Sequence, residues 1–85
     1  MPVTILYFGE LREQINLSSE TIDISMDSLT VDSLLSRLIA KGDPWSSALT
    51  SDEPLRIAIN QEMAGHDAIV PANAEVAFFR PVTGG

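Results

Sequence analysis

Only one stretch of this chain, "TVDSLLSRLIAKG" at 30–42, carries a sustained helical repeat, and it lies between segments patterned as strands. Val31, Leu34, Leu35, Leu38 and Ile39 fall at i, i+3, i+4, i+7 and i+8, a single apolar stripe on a helix. Thr30 is placed to cap its start, Asp32 to favour the N-terminal end of its dipole, and Lys41 with Gly42 to stop it. A helix with one apolar stripe needs one apolar surface to lie on. In a chain of 85 residues, enough for a single domain, that surface has to come from the flanking strands.

Those strands are legible. "PVTILYF" at 2–8 puts Val3, Ile5 and Tyr7 on one face and Thr4, Leu6 and Phe8 on the other, largely apolar on both, which predicts an interior strand. "ELREQINL" predicts a short helix. "ETIDIS" alternates Ile22 and Ile24 with Thr21, Asp23 and Ser25, a strand with one wet face. In "DPWSSAL", Asp43 is a cap and Pro44 a first helical residue of one short turn. "LRIAIN" is a third strand, "QEMAGHDAIVPANA" a turn-rich excursion with a short strand or two, and "EVAFFR" a last strand. The sum is an α+β roll, a mixed sheet with one main helix packed on one face. The body spans 1–80, and 81–85 is a tail.

Composition narrows the function. A hydrophobic content of 45% and a net charge of −7 describe a folded domain whose surface repels nucleic acid and anionic membrane. No apolar run is long enough for a span and no signal segment is evident, so a cytoplasmic protein is expected. There is no cysteine and one histidine, His66. Thiol nucleophiles and a histidine metal cluster are thereby excluded, and a Ser-His triad is a poor fit. Any chemistry is done to this chain or through one unusual feature.

That feature is "PVTGG". Pro81 cannot donate a ladder hydrogen bond, so the last strand is expected to end at Arg80. Five residues reach at most about 17 Å when extended. Beyond Thr83 the chain has no Cβ, the shape for threading a narrow tunnel and presenting a terminal carboxylate to another protein. The carboxylate is ionised and unreactive at neutral pH, so its use requires activation, most simply as an acyl-adenylate. The mixed anhydride then accepts sulfur, giving a thiocarboxylate, or an amine, giving an isopeptide.

With "LYFGELRE" at the start, "AINQ" at 58–61, Asp67 and "EVAFFRPVTGG" at the end, the chain resembles the small subunits of molybdopterin synthase, ubiquitin-like β-grasp sulfur carriers. The resemblance implies that an activating enzyme adenylates Gly85 with ATP, that a sulfur donor protein converts it to a thiocarboxylate, and that the tail delivers sulfur to cyclic pyranopterin monophosphate. It implies a large catalytic subunit as partner in a 2+2 heterotetramer, catalysis only as part of that sulfurtransferase, and no bound cofactor. Gly84 and Gly85 would be the reacting end. Phe8, Arg12, Phe78, Phe79, Arg80, Pro81, Val82 and Thr83 would meet partners. Arg80 stands where the family commonly has proline and is expected to be tolerated on an edge.

Other residues take plainer readings. A sheet covered on one side leaves an aromatic of Phe78 or Phe79 exposed as a docking patch, though parity alone does not say which. Arg12 reads equally as solvated or as an interface contact. His66 is a turn residue and Trp45 a packing cap over the helix end. Glu10, Glu13, Glu20, Asp23, Asp52 and Glu53 read as surface acids. The alternatives to the molybdopterin reading are a thiamine-pathway sulfur carrier, a protein modifier conjugated through Gly85, and a plain interaction domain.

Overall fold

The computed structural model describes residues 2–24, 29–50 and 54–81. In chain order the elements are β1 (Pro2–Tyr7), α1 (Gly9–Ile15), β2 (Ser19–Asp23), α2 (Val31–Ile39), α3 (Trp45–Leu49), β3 (Arg56–Ile59), β4 (Glu62–Ala64) and β5 (Glu75–Phe79). The five strands form one mixed sheet in the order β2-β1-β5-β3-β4. Only β1 and β5 run parallel, with Tyr7 opposite Phe78. The helices cover one face, as the α+β roll requires.

The alternation read from β1 holds. Val3, Ile5 and Tyr7 are buried, and Ile57, Val76 and Phe78 join them from β3 and β5. Onto this surface α2 lays Val31, Leu34, Leu35 and Leu38, α1 adds Leu11 and Ile15, and α3 adds Ala48. Tyr7 and Phe78 stack with ring centroids 6.4 Å apart, an aromatic pair across the two parallel strands.

Local signals act as expected at α2. Thr30 Oγ1 accepts from the Ser33 amide at 3.2 Å, and Gly42 at φ +88° ends the turn in a conformation that glycine tolerates best. The loop before β5 completes the cap. The amides of Val31 and Asp32 donate to the carbonyls of Ala68 and His66 at 3.0 and 2.9 Å. His66 is thus a turn residue, and its ring lies 2.9 Å from Asp32 Oδ1. Asp43 Oδ1 accepts from the Ser47 amide, the capping role read for it. Asn60 and Gln61, both with positive φ, make the tight turn between β3 and β4.

Two readings need correction. The first strand stops at Tyr7, and Phe8 becomes the extended residue that starts α1. Glu20 is not a plain surface acid. Its carboxylate accepts from the Tyr7 hydroxyl at 2.8 Å, from the Trp45 indole at 2.9 Å and from the Lys41 ammonium. The Lys41 nitrogen also sits 4.0 Å above the Trp45 ring. Trp45 does cap the helix end, but through this polar knot as well as by packing.

The knot makes stability depend on acid. Burial raises the Glu20 carboxyl, but the hydrogen bonds from Lys41, Trp45 and Tyr7 together outweigh it and leave it below the ordinary glutamate value of 4.5. Burial first, and the Glu20 carboxylate next, push the Tyr7 hydroxyl upward. A depressed folded carboxylate contributes stability above its unfolded value and loses it as pH falls through the folded one. Thermal melts should therefore weaken below pH 4.5. Glu20→Gln should cost about 1–2 kcal/mol at neutral pH and flatten that acid limb. An unchanged acid limb in the variant would assign it to other groups.

Candidate functional site

The uncovered face of the sheet is where the remaining apolar side chains collect. In register across it lie Leu6 of β1, Ala77 of β5, Ala58 of β3 and Met63 of β4. The two alanines form a low floor. Leu6, Phe8 and Phe79 stand around it, with Gln61 and Glu75 at the rim, enclosing a groove of about 510 Å³. Phe8 is 48% exposed and Met63 62%, large apolar groups left in water at the sheet face that, among the described residues, no helix covers. Such a concave apolar surface suits a protruding side chain of another protein.

The register answers the parity question about the two phenylalanines. Phe78 is fully buried beneath the helices and cannot meet a partner; its assignment to the interface is corrected to the core. Phe79, half-buried, lines the groove. Arg12 stands exposed on α1, one turn beyond Phe8 and on the same side of that helix.

The tail's mount is also changed. β5 is the middle strand of five, so Arg80 does not follow an edge as expected. The strand's last ladder pair is Phe79 with Arg56, one residue short of the predicted end. Arg80 turns its guanidinium inward, with its side chain only 8% exposed. Nη1 reaches Gln14 Oε1 at 3.0 Å and Glu10 Oε1 at 3.1 Å, and Nη2 donates to the Ala48 carbonyl at 2.7 Å. Glu10 is therefore a partner of Arg80 as well as a surface acid. Pro81 follows, half-buried. Val82, Thr83, Gly84 and Gly85 lie outside the described residues.

Sequence reasoning missed the alanine floor and Met63, because small residues in a strand carry no pattern until the register sets them side by side. Among the described residues, no group of three or more His, Asp or Glu is placed to hold a metal ion, and no helix is long and apolar enough to cross a membrane.

Comparison with known proteins agrees with this architecture. The molybdopterin synthase sulfur carrier subunit of Escherichia coli (strain K12) is 35% identical over 83 residues, covering 98% of this chain and 99% of that one. The crystal structure of SAMP1 from Haloferax volcanii superposes with a TM-score of 0.83 over the whole of both chains at 23% identity. A chain of the protein-protein complex of subunits 1 and 2 of the molybdopterin-converting factor from Helicobacter pylori 26695 gives a TM-score of 0.65 at 20% identity, again over both full chains. The two structural neighbours share the β-grasp, ubiquitin-like fold. The ThiS family model matches residues 5–85, through the Gly-Gly end. The chain belongs to the ThiS family.

Proposed function

We propose that this chain is the sulfur carrier of a molybdopterin synthase, acting in molybdenum cofactor biosynthesis as the small subunit of a sulfurtransferase. The observation that carries the reading is 35% identity, along nearly the full length of both chains, to a protein named for that role, with the family match running through Gly85. The groove and the tail's departure from a central strand support it.

The chemistry follows from what the chain lacks. With no cysteine, sulfur has to ride on the terminal carboxyl. An activating enzyme joins the Gly85 carboxylate to AMP from ATP, releasing pyrophosphate. A sulfur donor displaces AMP, so a C–S bond replaces the C–O bond of the anhydride. The resulting thiocarboxylate gives its sulfur to cyclic pyranopterin monophosphate in the large subunit's pocket. Two such transfers build one dithiolene, which suits a 2+2 heterotetramer. The carrier binds no cofactor of its own; Phe8, Phe79 and Arg12 face its partners, while Pro81 to Thr83 lead Gly84–Gly85 inward.

Incubated with its activating enzyme, ATP and a sulfur source, the chain should gain the mass of one sulfur-for-oxygen exchange, localised to Gly85 by fragmentation. A modifier would instead yield higher-mass adducts on lysines of other proteins. Adducts without the exchange would sink the carrier reading.

A further inference from the structure

We infer that Arg80 is a positioning residue for the tail: its guanidinium, bound to α1 and α3, fixes the point and heading from which Pro81 departs. The functional consequence rests on the sulfur-carrier reading; the clamp itself does not.

The ladder that holds β5 to β3 ends at Phe79. Beyond it the side chain of Arg80 takes over. Its contacts diverge: Gln14 and Glu10, one turn apart on α1, lie on Nη1, and the Ala48 carbonyl, in the last turn of α3, lies on Nη2. That carbonyl belongs to a helix end with no further turn to receive it. A planar fork can serve acceptors on two elements at once, whereas the single ammonium of lysine cannot reproduce its spread. Burial to 8% exposure keeps water from competing.

The next residue adds a second restriction. Pro81 has its φ locked near −65°. Phe79 in the ladder, Arg80 in the clamp and Pro81 in its ring therefore transmit the orientation of the central strand to the chain that follows. A tail that starts from a set heading loses less conformational freedom when it enters a partner's tunnel. The three acceptors described for the guanidinium all belong to this chain. The effect should appear in capture of the tail and not in the bond-making step.

Arg80→Ala and Arg80→Lys, each beside Gln14→Ala, test this. Gln14→Ala removes a clamp partner without touching the tail, and remains informative if Arg80→Ala folds poorly. Backbone order parameters of Arg80 and Val82 in the free protein should drop in all three. In sulfur loading, Arg80→Ala should raise KM for the carrier about tenfold with kcat held within about twofold, the loss of one fixed residue. Gln14→Ala should raise KM about threefold, and the double variant should be no worse than Arg80→Ala alone. Unchanged order parameters would overturn the clamp. So would full additivity with Gln14→Ala, which would mean that Arg80 touches the partner directly. Absence of any transfer by the unaltered chain would count against the carrier reading, and the order parameters would still decide the clamp.

Discussion

On the proposed sulfur-carrier function, removing Gly85 should abolish sulfur loading and leave the fold standing. Among the described residues the buried cluster runs from Val3 to Phe78, and every member precedes Pro81. Loss of the last residue should therefore leave this described cluster intact, and the melting temperature should move by no more than about 3 °C. The chemistry has no such tolerance. Shortening the chain withdraws the carboxyl by one residue, about 3.5 Å, from a site built to hold it, and misplacement on that scale removes most of the advantage of proximity. Appending a single alanine should be equally damaging, because the carboxyl then lies one residue too far. Mass spectrometry of the loading reaction and calorimetry on the same preparations separate the two outcomes. Loading by the shortened chain, or its unfolding, would show that the tail does not act as an independent, chemically exposed arm.

Adjacent phenylalanines should behave in opposite ways. Phe78→Ala deletes a fully buried ring stacked on Tyr7 and should cost about 3–5 kcal/mol, through lost burial and the cavity left behind. Against a total of about 5–15 kcal/mol for a domain of this kind, that is enough to lower the melting temperature by more than about 15 °C. Phe79→Ala removes a ring from the uncovered face, where less of it leaves water on folding. Its stability cost should stay below about 1.5 kcal/mol. Binding to the large subunit should instead weaken by about 2 kcal/mol, roughly thirtyfold, as for an aromatic anchor at the centre of an interface. Titration calorimetry against the large subunit, set beside thermal melts, gives both numbers. If Phe79→Ala proved the more destabilising, or bound normally, the groove would not be the docking face.

Much of this architecture was written in periodicity. The stripe of α2 and the alternation of β1 are local patterns, set by where successive side chains point, and both survive folding unchanged. What periodicity does not carry is which strands become neighbours. Placing β5 at the centre depends on pairing with β1 about 70 residues earlier, and nothing near Glu75 announces it. That one non-local fact decides three others. It sends Phe78 inward and Phe79 outward, it places Arg80 just past the end of a central strand and not on the expected edge, and it brings Ala77 beside Ala58. Glu20 was missed for a related reason. An acid in an alternating strand reads as solvent-facing until Tyr7 of β1, Lys41 of the turn after α2 and Trp45 of α3 converge on it. The proposed reactive end rests on sequence alone, on what it lacks: side chains, and a cysteine elsewhere to do the same work.

The position of β5 also governs when the body can close during synthesis. β1 with β2, joined through α1, and β3 with β4, joined by a tight turn, are two antiparallel pairs that do not touch through the sheet until the fifth strand slides between them. A ribosome delivers that strand after all the others, so the nascent chain waits as two unjoined halves, each too small to be stable alone. Chains interrupted before Glu75 should stay open to proteases, and a peptide supplying the missing strand should restore them. The segment that completes the sheet is thus continuous with the proposed carrier arm, so on that reading the arm should become usable only once the body has closed.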